Sequence, residues 1–221
     1  MSKQQKDQDH GDPFQEMRER MVEHQLRGRG VLDETVLAAM ERVPREAFVP
    51  YELRERAYAD GPLPIGLEQT ISQPFVVAAM SEALAMCPGQ RVLEVGTGSG
   101  YQTAVLAEMG LQVYTLERIG ALAMQAESLI EQLGYETVKV TCADGYDGWE
   151  EEAPFDGILV TAAAPELPSI LVDQLKTGGR LVIPIGRFSQ DLRVYRKHGD
   201  GTAGYKELFP VRFVPLLPGT T

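Results

Sequence analysis

The spacing of apolar residues changes character partway along the chain. In the first part, apolar side chains recur at helical intervals. Phe14, Met17 and Met21 form one such set. The Asp12-Pro13 pair ahead of them predicts a helix start, with Asp as cap and Pro in the first turn. Gly28 and Gly30 end that helix. Val36, Leu37 and Met40 mark a second one, from Asp33 to about Arg42. Pro44 and Pro50 bracket a short connection. Residues 60–72 hold two prolines and two glycines and are expected to form a structured loop. Pro74 opens a further helix to about Met86, with Phe75, Ala78, Ala79 and Ala83 available for burial.

Beyond Arg91, strand-like runs alternate with helical ones. Arg91–Val95, Gln112–Leu116, Thr137–Thr141, Gly157–Thr161 and Arg180–Ile185 read as strands. Helices are expected up to Met109, over 120–133 and near 168–176. This rhythm predicts a parallel sheet covered by helices on both faces. Residues 191–197 and about 206–216 break it. They read as two strands joined by the turn-rich stretch His198–Gly204, a hairpin adding antiparallel strands to one sheet edge. The expected organisation is a disordered leader over 1–12, a helical N-terminal portion with its loop over 13–74, and an α/β domain over 75–221.

Composition narrows the possibilities. The chain has 221 residues, 43% apolar and 24% charged, which fits a folded protein. Its net charge is −11. So large a surplus of acid opposes binding to nucleic acid, which needs Lys and Arg to displace counterions, and opposes docking on anionic membrane. No stretch approaches the ~20 apolar residues of a spanning helix. Met1–Pro13 lacks the apolar core of a signal peptide. Cys87 and Cys142 are too few and too far apart for a disulfide framework or a zinc site. No metal is expected, and both cysteines read as reduced, buried thiols of a cytoplasmic protein.

The strongest local pattern is Val92-Leu-Glu-Val-Gly-Thr-Gly-Ser-Gly-Tyr101, a glycine turn between the first parallel strand and its helix. Glycines there permit positive φ and close approach of a ligand to the backbone. A dinucleotide fingerprint needs G-x-G-x-x-G, whereas here the third glycine comes one residue early and Tyr101 follows. That favours a ligand without a pyrophosphate. Glu117 ends the next strand, where a carboxylate accepts from both hydroxyls of a ribose. Asp144-Gly145 follows the third strand, where Asp144 is placed to accept from an adenine amine and Gly145 lets the base lie close. Taken singly, each has a plainer reading: a tight turn, a solvated strand-end acid, an Asp-Gly turn. Together, at the carboxyl ends of successive parallel strands, they describe an adenosine pocket without a phosphate subsite, and S-adenosylmethionine fits it. A methyltransferase with any of several acceptors fits these residues, as does a binding protein that keeps the pocket without catalysis. A nicotinamide dehydrogenase fits them less well.

Longer motifs bring in a family. Ala59-Asp60-Gly-Pro-Leu-Pro-Ile65, Gln69-Thr-Ile-Ser-Gln-Pro-Phe75, Phe155-Asp-Gly-Ile-Leu-Val-Thr-Ala-Ala163 with Ala164-Pro165-Glu166, and Gly178-Gly-Arg-Leu-Val-Ile-Pro-Ile-Gly186 accompany the glycine turn. With these, the chain from about Met21 to Pro215 resembles the protein-L-isoaspartate (D-aspartate) O-methyltransferases. The resemblance implies a class I methyltransferase sheet, Rossmann-like and mostly parallel with an antiparallel seventh strand. It implies methyl transfer from S-adenosylmethionine to the free carboxyl of isoaspartyl residues in damaged proteins and peptides. The ester then closes to a succinimide, which reopens partly to aspartate. The family's active-site serine falls on Ser72. Cofactor contacts fall on Glu94, Gly96, Thr97, Gly98, Gly100 and Glu117, and adenine contacts on Asp144 and Gly145. Acceptor contacts fall on Asp60, Thr70, Ile71 and Gln73. The enzyme is expected to be a monomer. Glu68 stands where the family often has a small residue, and Phe75-Val76-Val77 where some members have histidines.

The chemistry asks little of the protein in proton transfer. A carboxylate is ionised at neutral pH and needs no base to attack a methyl sulfonium. His10, His24 and His198 all lie outside the motifs, in keeping with such an acceptor. Residues 60–90 contain no Lys, Arg or His, which predicts that neutral donors hold the acceptor. These are the Ser72 hydroxyl and the N–H groups of the helix after Pro74. Ser72 is then an orienting donor, not a nucleophile; its plainer reading is a helix cap.

Overall fold

The computed structural model describes residues 12–221, so nearly all of the expected leader lies outside the described residues. Asp12 Oδ1 accepts from the Phe14 N–H, and helix α1 (Gln15–Arg20) begins beyond it, later than its Asp-Pro signal predicts. The helix passes into a wider π turn over Met21–Leu26, which buries Met21, Val22 and Leu26. A 3-10 turn over Arg27–Arg29 closes at Gly30, whose φ of 92° is the left-handed value glycine tolerates. Helix α2 (Glu34–Arg42) is capped by Asp33, which accepts from the N–H groups of Thr35 and Val36. Two 3-10 turns, Arg45–Phe48 and Tyr51–Arg56, fill the stretch after Pro44.

The expected loop at 60–72 contains a small hairpin. Strands β1 (Leu63–Gly66) and β2 (Gln69–Ile71) pair antiparallel, with Leu63 opposite Ile71. Its turn residues, Leu67 and Glu68, both have positive φ, 49° and 59°. Such turns normally use Asn-Gly, and prolines argue against strands, so nothing local signalled this one. Helix α3 (Pro74–Leu84) turns a different face inward than expected. Val77, Ala78, Met80, Ser81 and Leu84 are buried, while Phe75, Ala79 and Ala83 are only half-buried.

The remaining elements alternate as the pattern predicts: β3 (Arg91–Val95), α4 (Tyr101–Glu108), β4 (Gln112–Glu117), α5 (Gly120–Gln132), β5 (Val138–Cys142), β6 (Phe155–Val160), α6 (Ser169–Asp173), β7 (Leu175–Ile185), β8 (Gln190–Lys197) and β9 (Ala203–Val211). The sheet order is β5-β4-β3-β6-β7-β8-β9. The first five are parallel; β8 runs against β7, and β9 against β8. This is the Rossmann-like methyltransferase sheet with its C-terminal hairpin. Central strands are apolar on both faces because helices cover both.

One core cluster lies on each face. The first runs without interruption from Met21, Leu26, Leu37 and Met40 through α3 to Tyr101 and Leu106 of α4. The N-terminal helices and the sheet therefore share one hydrophobic interior. The second holds Leu93, Val95, Leu116, Phe155 and Ile183. Both cysteines are free and exposed, which corrects the expectation of burial. Cys87 sits in the turn after α3, and Cys142 ends β5, an edge strand with only partial cover. In the acidic run at 149–152, Glu152 pairs with Arg91 and Lys139.

Candidate active site

β3 delivers the chain to Gly96, whose φ is 98°. A Cβ there would lie 2.2 Å from Thr161 Oγ1, so the position admits no side chain. Thr161 Oγ1 in turn donates to the carbonyl of Gly96, tying the turn to the end of β6. Glu117, almost buried at the end of β4, braces the same turn. Its Oε2 accepts from the Gly98 N–H at 2.9 Å and its Oε1 from the Ile119 N–H at 3.0 Å. At Gly145 a Cβ would lie 2.3 Å from Val95 Cγ1.

These residues wall a cleft open to solvent. Thr70, Ile71, Ser72, Gly96, Thr97, Gly98, Glu117 and Gly145 all reach its surface. Sequence reasoning missed Tyr101, Gln102, Thr161 and the tail residues Val214–Leu217, which complete it. The tail is bound there by backbone pairing, with the Leu216 N–H donating to the Ala163 carbonyl. No local pattern in 214–217 announces this; the sheet topology brings it about. Among the described residues Arg118 is the one Lys or Arg on the wall, and its Nε donates to the Gly219 carbonyl. A nucleoside with a cationic chain finds a carboxylate and glycine-lined backbone here. The donor set thus fits S-adenosylmethionine.

Three expected cofactor residues lie off this wall. Glu94 is fully buried beneath the glycine turn, where its Oε2 accepts from Thr103 Oγ1 (2.5 Å) and Thr115 Oγ1 (2.7 Å). Thr115 Oγ1 is also 2.7 Å from Thr97 Oγ1, so since Thr115 donates to Glu94, Thr97 must donate to Thr115. Glu94 therefore supports the turn through two threonines instead of touching the cleft. Its Oε1 is buried without a partner, and burial pushes its pKa up to about 8, with the nearby charge of Glu117 adding to the rise. Gly100 faces Ala126, Ile130 and Phe48, so it is there for packing. Asp144 spends Oδ1 on the Tyr146 N–H and Oδ2 on the Gly219 N–H of the tail.

A second cavity, also open to solvent, lies on the other side of Ser72. Gln73, Phe75 and Phe209–Val214 line it, and Thr70, Ser72, Thr161 and Val214 belong to both walls. Asp60 stands at its edge, accepting from Gln73 Nε2 at 2.6 Å and pairing with Arg29 at 3.2 Å. Arg29 lies 3.8 Å from the centre of the Phe75 ring and, with Arg212, lines the cavity. This corrects the expectation of purely neutral surroundings. The segment 60–90 carries no cation, but the fold brings two from outside it, one of them neutralised by Asp60.

A family profile described as protein-L-isoaspartate(D-aspartate) O-methyltransferase matches residues 16–221. Among similar proteins, a protein-L-isoaspartate O-methyltransferase of Synechococcus is 53% identical over 95% of this chain and 88% of its own length. Another, of Gloeobacter violaceus, is 55% identical over 89% and 96%. A solved protein-L-isoaspartate O-methyltransferase superposes with a TM-score of 0.80 at 31% identity, covering 90% of this chain and 65% of that one. A Plasmodium falciparum protein described as a putative protein-L-isoaspartate O-methyltransferase, solved with S-adenosyl-L-homocysteine, gives 0.76 at 32% identity, covering 90% and 98%.

Proposed function

The chain belongs to the protein-L-isoaspartate (D-aspartate) O-methyltransferase family, and from that premise we propose how its own residues carry the family's reaction. It is an S-adenosylmethionine-dependent enzyme that methylates the free carboxyl of isoaspartyl residues in protein repair. S-adenosylmethionine, when bound, supplies an electrophilic methyl group. The first cleft takes it, with the ribose at Glu117, the base over Gly145 and the methionine portion along Gly96–Gly98. The second cavity takes the acceptor peptide. The observation that carries this division is that Ser72, with Thr70 and Thr161, belongs to both walls. A carboxylate held from the second cavity then faces the first.

Ser72 donates its hydroxyl to one oxygen of the acceptor carboxylate and leaves the other free to attack. α3 begins two residues on, and the positive end of its dipole favours an anion there, although Pro74 has no N–H and Val76 and Val77 donate theirs to the Gln73 carbonyl. No proton moves, because an anion attacks a cation and the product ester is neutral. Gln73 and Asp60 hold the edge of the acceptor cavity in shape and Thr70 lines it, whereas Ile71, expected as an acceptor contact, faces the first cleft. Two exposed unpaired thiols support a reducing compartment, the cytoplasm. The net charge of −11 supports a partner that is neither nucleic acid nor anionic membrane.

The test uses labelled S-adenosylmethionine with two peptides that differ only in having an isoaspartyl or an aspartyl residue. Label should pass to the isoaspartyl peptide alone. Equal labelling of both, or of neither, overturns the reading. Ser72→Ala should lower turnover and leave S-adenosylmethionine affinity unchanged; loss of cofactor binding would contradict the orienting role.

A further inference from the structure

Arg45 lies in the 3-10 turn after α2, far in sequence from every motif, and is fully buried. A buried guanidinium is normally matched by a carboxylate, since an uncompensated charge inside a protein is costly. Among the described residues Arg45 forms no ion pair. Its Nε donates to the carbonyl of Ala57 at 2.6 Å and its Nη2 to the carbonyl of Ser72 at 2.8 Å. Its plane lies 4.7 Å from the centre of the Tyr101 ring, and Nη1 has no partner among the described residues. Burial lowers its pKa from the ordinary arginine value. An apolar side chain would fill this space without that cost, so packing does not account for the residue.

The two carbonyls do. Ala57 stands just before the acceptor loop and Ser72 closes it, with the β1–β2 hairpin between them. One edge of a rigid, planar fork grips both ends of the loop and fixes their separation and direction. The face of the same fork rests on Tyr101, which walls the cofactor cleft and opens α4. We propose that Arg45 is a positioning residue for methyl transfer: it staples the ends of the acceptor loop to the cofactor helix and thereby sets where the Ser72 hydroxyl stands. This rests on the role of Ser72 proposed above. It adds a residue that touches neither ligand but determines the geometry between them.

Arg45→Lys keeps the charge and about the same length but cannot hold two carbonyls along one edge. It should lower kcat/KM for the isoaspartyl peptide by roughly 10- to 100-fold, the scale of a misplaced catalytic group. S-adenosylmethionine affinity, measured by calorimetry, should stay within about 3-fold. A merely structural defect would lower turnover whether or not Ser72 is present, so the deciding measurement is a double-mutant cycle. In the Ser72→Ala background, Arg45→Lys should cost at most about 3-fold. Arg45→Gln, which keeps one donor and removes the charge, serves as a second variant if the lysine is poorly folded, with thermal unfolding recorded for both. Full additivity of the two losses overturns the proposal, as does an unchanged kcat/KM in folded Arg45→Lys. Wild-type enzyme inert toward the isoaspartyl peptide overturns the reading of function instead, and the role of Arg45 with it.

Discussion

Glu94→Gln exchanges a fully buried carboxyl for an amide of nearly the same shape. The amide oxygen keeps the bonds from Thr103 and Thr115, and the amide nitrogen takes the place of Oε1, which has no partner to lose. The difference is charge. Burial holds the folded pKa of Glu94 at about 8, against 4.5 ordinarily. Between these values the folded protein keeps a proton that the unfolded chain has released. Wild-type stability from this group is therefore fully present below pH 4.5 and lost as pH rises through 8. At 1.36 kcal/mol per pKa unit the whole window is worth about 5 kcal/mol, with a slope of roughly 1 kcal/mol per pH unit inside it. The amide does not titrate and its stability lacks this term. Urea unfolding of both proteins at pH 5, 6, 7 and 8 reads the difference directly, because every other titrating group cancels. The variant should gain on the wild type steadily from pH 5 to pH 8. Parallel curves would refute a neutral, buried Glu94.

Other substitutions probe the two cavities separately. Glu117→Ala strips the Gly98 and Ile119 N–H groups of their acceptor and removes the proposed ribose partner. Calorimetry should show S-adenosylmethionine affinity falling by about 10- to 100-fold, as the loss of charged hydrogen bonds predicts. Gly145→Ala drives a methyl group to 2.3 Å from Val95 Cγ1. Overpacking of this kind costs about 1–3 kcal/mol, so thermal unfolding should come several degrees earlier and cofactor affinity should drop with it. An unchanged melting temperature would mean that Val95 yields freely. Arg29→Ala removes the pair with Asp60 and the stack on Phe75. KM for the peptide should rise a few-fold while cofactor affinity is unmoved, and the reverse pattern would assign Arg29 to the wrong cavity.

The sheet was legible because its strands are short apolar runs separated by glycine turns, and that pattern depends on local sequence alone. β3 and α2 follow their signals almost residue for residue. The β1–β2 hairpin was hidden because Leu67 and Glu68 adopt a backbone that their side chains disfavour, held there by Leu63 and Ile71 packing inward. α3 was misread in rotation because an alanine-rich helix has little contrast between its faces, so burial is decided by what it meets. The glycine turn, Glu117 and Gly145 could be located because each depends on its place at a strand end. Arg29, Arg45 and the tail residues 214–217 could not. Each reaches the site from a different part of the chain, and only the packed fold brings them within bonding distance. Glu94 and Gly100 sit inside a recognisable motif yet serve its interior. A motif records which residues a turn requires, and only some of them reach the cleft.

The cofactor cleft is bounded by the ends of both hydrophobic cores. Val77 and Tyr101 belong to the first core and Val95, Leu116 and Leu216 to the second, and all five line the cleft. A ligand seated there rests against both halves of the interior at once and has no separate small lobe to order. Melting should therefore remain one cooperative transition with or without nucleoside, shifted upward as a whole. At a hundred times the dissociation constant, mass action adds about 2.7 kcal/mol to the stability of the entire chain. A simple thermal-shift plate can then rank nucleoside analogues for this cleft without a methyl acceptor present.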